Sequence, residues 1–313
     1  MLKKLLPSLA LLLCISSAYG QFQERGSAKG PQIGELSAQK WQLGLTVSAD
    51  SGPCTGLVGY VPLFNDWPEQ QVSVLEEKVS DGVKLTYQMI DGIKVMLVNV
   101  PNLPPGEKAE ALITFEVRRG PIVPPQDTSI YELPNTKKLP KDVRPYLAAS
   151  SGIDPKNPKI RALAKEITAD KEPAWKKIEA LYDWVRENVK YEKGQNVGSV
   201  MAVKNRKGNV EDLVSTFIAL CRAIDVPART VWVPGHCYAE FYLADDDGQG
   251  HWFPCELKET RSFGGIQERR PVLMKGDNFH PPWAPRDRQR MLSEYLTGSG
   301  GKPKHRFIRQ AAP

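Results

Sequence analysis

The segment with the clearest motifs begins with Arg206-Lys207-Gly208-Asn209-Val210-Glu211-Asp212-Leu213 and ends at Glu256. Asn209 is a favourable helix N-cap, and two acidic residues follow it where the helix dipole is positive. The apolar residues of the predicted helix recur at helical spacing: Leu213, Phe217, Leu220 and Ile224. Two short β-runs follow, Gly235-His236-Cys237-Tyr238-Ala239-Glu240 and Trp252-Phe253-Pro254-Cys255-Glu256. A helix N-terminus, a strand with His and a strand with an acid form the scaffold of a cysteine-nucleophile triad.

This order of motifs resembles the transglutaminase-like superfamily, which shares its core with papain-type peptidases. The family pattern is a Gly-x-Cys turn, a helix ending in Arg, a Gly-Ile-Pro-Ala-Arg-like segment, a His-x-Trp-x-Glu-like strand and a Trp-x-x-x-Asp strand. The residues that match it in order are Gly208, Arg222, Val226-Pro227-Ala228-Arg229, His236, Glu240 and Trp252. The resemblance covers about residues 155–280. It implies a papain-like α+β domain, which we place at residues 155–296.

Two positions depart from the family pattern. Val210 occupies the place of the catalytic Cys, and Glu256 occupies the place of the Asp. A valine side chain has no lone pair and no ionisable atom, so no neighbour can activate it. His236 remains at the triad position, and Glu256 could still orient its imidazole. Such a pair could act as a general base, bind a polar ligand, or only satisfy buried polar groups.

The other cysteines are poor replacements for the missing nucleophile. Cys221 lies eleven residues along the same helix, about 16 Å from position 210. Cys237 and Cys255 are predicted to point away from the cleft, because side chains alternate along a strand. If His236 is directly opposite Glu256, as the family geometry implies, Cys237 is opposite Cys255. The sequence leaves open whether these two thiols form a disulfide or stay reduced.

A metal site is an alternative reading of the same region, since six potential ligands lie within 45 residues. Strand alternation divides them between two faces, and no Cys-x-x-Cys or His-x-x-x-His spacing occurs. We therefore predict neither a metal nor a cofactor. The residues concerned are His236, Cys237, His251, Cys255, Glu256 and His280.

The N-terminus resembles a secretory signal peptide over residues 1–20, with two lysines, an apolar run from Leu5 to Ile15, and Ala18-Tyr19-Gly20 as a cleavage site. The apolar run is shorter than the roughly 20 residues that a membrane span needs, and no other stretch could cross a bilayer. We therefore predict a secreted or periplasmic protein with no membrane span. Residues 21–40 read as a flexible mature N-terminus.

The remaining segments suggest a second domain and a tail. Period-2 alternation and the hairpin signal Asp91-Gly92 predict an antiparallel β-sandwich over residues 41–120. Residues 121–154 are rich in proline and are predicted to be an interdomain linker, followed by helical periodicity. Residues 297–313 are Gly-rich and basic, and are predicted to be disordered. The net charge of +6 falls to +4 without the two signal lysines, which argues against a dedicated nucleic-acid binder.

These observations predict an exported transglutaminase-like pseudoenzyme that binds a ligand in a degenerate Cys-His-Asp cleft. The resemblance implies a peptide, protein or cell-wall ligand that contains amide groups. The alternative is an amide hydrolase or acyltransferase of the protease or transglutaminase type, using a different nucleophile or an activated water. A purely structural role in an extracellular assembly is a third possibility.

Overall fold

The computed structural model describes residues 29–312. The predicted signal peptide, residues 1–20, and residues 21–28 of the predicted flexible segment lie outside the described residues. The helices α1 to α4 are Pro158–Thr168, Ala174–Asn188, Gly198–Asn205 and Val210–Ala223. The strands β1 to β17 are Gln32–Ile33, Ser37–Ser48, Cys54–Pro62, Gln70–Val79, Lys84–Ile90, Ile93–Leu103, Lys108–Arg119, Ile122–Val123, Lys190–Tyr191, Lys207–Gly208, Ala228–Val233, His236–Ala244, Gly250–Glu256, Ser262–Phe263, Met274–Lys275, Tyr295–Gly300 and Lys304–Ala311.

The central sheet has five antiparallel strands in the order β14-β13-β12-β11-β15. Helix α4 packs against one face of it, where Phe217 of the helix contacts Phe241 of β12. Residues Cys237, Ala239, Phe241 and Leu243 of β12 all join the main core on this face. Tyr238 and Tyr242, which alternate with them, belong to separate clusters on the other face. The combination of this sheet with four helices is an α+β arrangement, as the sequence predicts.

Two further four-stranded antiparallel sheets, which we call the N-terminal sheets, have the strand orders β16-β3-β6-β5 and β17-β2-β7-β4. The predicted Asp91-Gly92 hairpin is confirmed, since β5 pairs with β6 through Ile90 and Ile93. Both turn residues have positive φ, 47° and 81°, as a two-residue turn of this kind requires. Leu45 of β2 lies so close to Gly59 of β3 that a Cβ at position 59 would be 2.4 Å from the Leu45 Cδ2 atom.

The prediction of a disordered tail is wrong. Residues 295–311 form β16 and β17, which complete the two N-terminal sheets by pairing with β3 and β2. Phe307 packs against the core, and its strand satisfies backbone groups of β2 that would otherwise lie on a sheet edge. The many basic residues that suggested a tail are compatible with this position, because edge strands often carry lysine and other charges.

The prediction of an interdomain linker also needs correction. Within residues 121–154, Tyr131, Leu139 and Val143 are buried. Glu132 forms a β-bridge to Ala244 of the central sheet, and Ile122 forms one to Ile266. The proline-rich segment is therefore packed onto the central domain. Residues 37–40, predicted to be flexible, belong to β2 and pair with β7.

Each helix between residues 29 and 312 falls short of the length and apolar character that crossing a bilayer requires.

Candidate functional site

The N-terminus of α4 is fixed by a capping box between Asn209 and Asp212. The Asp212 backbone N–H donates to Asn209 Oδ1 at 3.0 Å, and the Asn209 N–H donates to Asp212 Oδ2 at 2.9 Å. Asp212 Oδ1 also accepts from the N–H groups of Val197 and Gly198, at 2.8 and 2.7 Å. This carboxylate therefore joins the start of α3 to the start of α4.

Gly208 is needed for the close approach of that carboxylate. A Cβ at this position would lie 2.5 Å from the Asp212 Cβ atom. Steric crowding therefore explains why this position of the family motif is a glycine in this chain. Val210 follows as the first residue of α4, the residue for which the sequence predicts the nucleophile position.

A cavity of about 470 Å³ opens in front of Val210. Its apolar wall consists of Val210, Trp232, Val233, Leu273 and Met291. Its polar side chains are Glu211, His236, Gln289, Arg290, Ser293 and Arg309. The predicted His236 and the nucleophile position therefore share one cavity.

His236 and Glu256 form a buried hydrogen-bonded pair. The imidazole Nε2 lies 2.8 Å from Glu256 Oε2, and only 9% of His236 is exposed. The second oxygen, Oε1, accepts from the N–H groups of Lys258 and Glu259, at 2.8 and 3.0 Å. Because the carboxylate accepts from Nε2–H, the other imidazole nitrogen, Nδ1, is left to exchange a proton.

Opposing effects act on the pKa of Glu256. Burial alone would raise it, but the hydrogen bond and charge of His236 and the two backbone N–H groups outweigh burial and lower the pKa below its usual range. Glu256 is therefore ionised at neutral pH and can stabilise an imidazolium at His236. In this geometry the Glu256 carboxylate orients the His236 imidazole, as in a general base that is positioned by an anion.

The predicted register of this pair is wrong by two residues. Cys255 is opposite Ala239, and Pro254 is opposite Glu240, so His236 and Glu256 are diagonal neighbours. Diagonal pairs lie about 7–8 Å apart between Cα atoms, and the extra methylene of Glu relative to Asp helps the carboxylate to reach the ring.

The same shift separates Cys237 from Cys255. They lie on the same face but on a diagonal, beyond the Cα span of roughly 4.4–6.8 Å that a disulfide uses. The thiols of Cys54, Cys221, Cys237 and Cys255 are all free and buried. Cys237 also lines the cavity with His236, contrary to the prediction that it points away. Burial raises the pKa of its thiol far above the ordinary value.

The six residues considered for a metal site are not brought together. The three histidines among them each contact a different carboxylate: His236 contacts Glu256, His251 contacts Asp245, and His280 contacts Asp91. A separate acidic group, Asp245 to Asp247, gathers its oxygens within 4.8 Å. Lys29 already forms ion pairs of 2.6 Å with two of these three residues.

Other residues of the family motif hold the domain together and lie outside the cavity. Arg222 is buried and forms an ion pair of 2.7 Å with Asp277. Glu240 binds Arg229 at 2.8 Å and Lys275 at 2.7 Å. These contacts tie α4 and the central strands to the segment that follows them.

Several residues that line the cavity lie outside the motif recognised in the sequence. Gln289, Arg290, Met291 and Ser293 lie beyond the recognised motif, and Arg309 belongs to the segment predicted to be disordered. No local spacing connects them to His236. The run Arg306-Phe307-Ile308-Arg309, basic at both ends and apolar inside, was a weak signal of an edge strand.

Comparison with known proteins supports the assignment of the central domain. Residues 161–257 match the family model "Transglutaminase-like superfamily". No protein of curated function matches the sequence. Among solved structures, the chain is similar to one from Cytophaga hutchinsonii described as a "putative cysteine protease", with 16% identity and a TM-score of 0.60. That match covers 90% of this chain and 93% of the other, and indicates a common fold.

A second solved structure, a "putative protease" from Parabacteroides distasonis, matches with 12% identity and a TM-score of 0.30, over 70% of this chain and 43% of that one. This likeness is too low to carry an argument. The family match, the fold match and the geometry around His236 agree with one another. Residues 161–257 therefore carry a transglutaminase-like core of papain-like fold.

Proposed function

We propose that this protein is an exported transglutaminase-like protein that lacks thiol catalysis and binds a peptide or protein chain in its cleft. The observation that carries the proposal is the intact His236–Glu256 pair beside a valine at the start of α4. The base and its orienting acid are retained, while the atom that they would activate is missing.

The remaining thiols give little support to a substitute nucleophile. Burial raises the pKa of Cys221, Cys237 and Cys255. A buried neutral thiol is inert, because the thiolate is the nucleophilic form. Cys221 and Cys255 are also absent from the cavity wall.

The cavity itself supports ligand binding. A volume of about 470 Å³ falls within the range of small-ligand pockets. Its wall combines apolar side chains with six polar ones, which could fix the orientation of a ligand. One peptide side chain or chain end fits such a space. The N-terminal sheets contribute to the wall of the cleft through Arg309 of β17. We propose that these two sheets pack as a sandwich, because Leu45 of β2 lies against Gly59 of β3. Export rests on residues 1–20.

The binding proposal is tested by selecting a phage-displayed library of random peptides on the full chain. We expect enriched peptides that bind the parent protein and fail to bind Val210→Trp, in which the indole fills the cavity. Val197→Trp is the matched control, because Val197 is 45% exposed and does not line the cavity. Peptides that bind both variants equally would place the ligand elsewhere.

An amide hydrolase that activates water is the second candidate. The geometry of the His236–Glu256 pair favours it, because an imidazole oriented by a carboxylate can act as a general base. A γ-glutamyl-p-nitroanilide assay separates the two candidates. Turnover that resists iodoacetamide and disappears in His236→Ala would favour the hydrolase.

A further inference from the structure

Unpartnered polar atoms are concentrated in the residues that line the cavity containing His236. Among residues 29–312, eight buried side-chain nitrogen or oxygen atoms have no hydrogen-bond partner. Four of them belong to residues that line this cavity: Gln289 Oε1, Arg290 Nε, Arg290 Nη1 and Arg309 Nε. Leaving a buried polar atom unpaired is costly, so such a concentration indicates a group that the cavity is built to receive.

The two arginines are held in place by other contacts. Arg290 Nη2 donates to Ser215 Oγ at 2.6 Å, and its Nη1 lies 3.3 Å from Glu211 Oε2, outside hydrogen-bond geometry. Arg309 Nη2 donates to Glu294 Oε1. Each guanidinium thus already faces one carboxylate, Glu211 or Glu294, and each keeps nitrogens that have no hydrogen-bond partner.

The unused groups are mainly donors. Three guanidinium nitrogens stand against a single unpaired acceptor, Gln289 Oε1. The positive end of the α4 dipole lies at the same cavity, since Val210 and Glu211 line it. A group that supplies several acceptor oxygens and a negative charge would satisfy these donors, and a carboxylate matches guanidinium geometry best.

We propose that Arg290 and Arg309 form a carboxylate subsite in this cleft. The inference rests on the proposed peptide-binding function and specifies the ligand further. The bound polypeptide would present either its C-terminal carboxylate or an Asp or Glu side chain to the two arginines, with Gln289 Oε1 accepting a neighbouring backbone N–H.

The subsite is contributed from outside the family core. Both arginines lie beyond residues 161–257, and Arg309 is delivered by β17, a strand of the N-terminal sheets. The core supplies His236 and the helix terminus, while the C-terminal segment supplies selectivity for charge.

Three small peptides test the subsite by isothermal titration on the full chain: acetyl-Ala-Ala-Ala with a free carboxylate, its C-terminal amide, and acetyl-Ala-Glu-Ala-amide. We expect the first or the third to bind about tenfold or more tightly than the second, which lacks a carboxylate. The comparison of the first with the third identifies which source of carboxylate is accepted.

Variants of β17 supply the matched control. Arg309→Gln should weaken carboxylate binding about tenfold, whereas Arg306→Gln, on the same strand but exposed and away from the cavity, should leave it unchanged. Glu294→Gln should tighten binding, because it removes the carboxylate that competes for Arg309. That gain would not arise if Arg309 were only structural.

Several outcomes would overturn the subsite. These are equal affinity for the amide and carboxylate peptides, equal effects of Arg306→Gln and Arg309→Gln, and no binding by any of the three peptides. If library peptides without carboxylates still bind the cleft and are lost in Val210→Trp, the proposed function stands and only the subsite fails.

Discussion

Val210, the first residue of α4, lines the cavity that contains His236 with a side chain that carries no reactive atom. The surrounding residues keep the form of a reactive site, since the helix cap, His236 and Glu256 are all in place. The chain departs from the family pattern at Val210 and at Glu256, and our proposal for the role of position 210 can be tested by introducing a thiol there.

Val210→Cys should create a thiol that reacts faster with iodoacetamide than the native buried cysteines. Its position at the first turn of α4 and beside His236 favours the thiolate, which should lower the pKa of the thiol below the value of about 8.5 for a free cysteine. Alkylation rates against pH, read by mass spectrometry of the labelled peptides, measure this.

Val214→Cys is the matched control for this substitution. It lies one turn further along α4 and is fully buried, so its thiol should react slowly at all pH values. A thiol at position 210 that is no more reactive than a free cysteine would contradict our placement of the cleft.

Glu256→Gln should reduce the free energy of unfolding at pH 7 by about 1.5–3 kcal/mol, the usual worth of a hydrogen bond to a charged group. Because the folded-state pKa of Glu256 is lowered, its stabilisation is complete above the unfolded pKa of about 4.3. It is lost as the pH falls through the folded pKa. The difference between variant and parent should therefore narrow progressively as the pH falls below about 4.3.

Urea unfolding over a series of pH values measures this difference. Glu259→Gln provides a control, because that side chain is 57% exposed and should change stability by less than about 1 kcal/mol. A Glu256→Gln difference that stays constant down to pH 3 would show that the bond to His236 does not set the pKa.

The sequence predicted that His236 and Glu256 are neighbours, but it did not predict the register of their strands correctly. The family motif places a His and an acid on adjacent strands, and alternation places them on one face. Direct and diagonal pairing both satisfy alternation, since they differ by two residues. Only the three-dimensional path of β12 and β13 decides between them, and it selects the diagonal.

The start of α4 is the element on which the cleft depends. Asp212→Ala should lower the free energy of unfolding by about 3–5 kcal/mol, because three backbone N–H groups lose a charged acceptor. The neighbouring Glu211→Ala should cost about 1 kcal/mol or less, since Glu211 is 37% exposed. Thermal or urea unfolding of both variants makes the comparison, and similar losses would contradict the capping argument.

Local sequence predicted this helix well and the C-terminal hairpin poorly. The signals for α4 are contiguous: a cap, two acids and an apolar stripe. Strand β17 is stabilised by β2, from which it is separated by most of the chain. The sequence of β17 alone, basic and short of apolar residues, gives no sign of this distant partner.

A buried charge network joins the N-terminal sheets to the central sheet. Lys275 Nζ lies 2.8 Å from Glu69 Oε1 and 2.7 Å from Glu240 Oε1. Glu240 has Arg229 as a second partner, whereas Lys275 is the one cation paired with Glu69 among residues 29–312. The network links the turn that ends just before β4, where Glu69 lies, to β12 and β15 of the central sheet.

Lys275→Met should therefore destabilise the whole molecule by about 3–5 kcal/mol at pH 7, because it leaves a buried carboxylate unpaired. Lys258→Met, which removes an exposed ion pair with Glu259, should cost less than about 1 kcal/mol. Scanning calorimetry of both variants at pH 7 tests this, and equal losses would refute the role of the network.

The pairing of β16 with β3 and of β17 with β2 also determines when the two N-terminal sheets can be completed during synthesis. A ribosome makes residues 295–311 after every other described strand, so both N-terminal sheets stay open along β2 and β3 while the central domain is being synthesised. Open edges of this kind recruit other chains. Until residues 295–311 have been made, the nascent chain therefore carries two unpaired sheet edges, at β2 and at β3, that can pair with another chain.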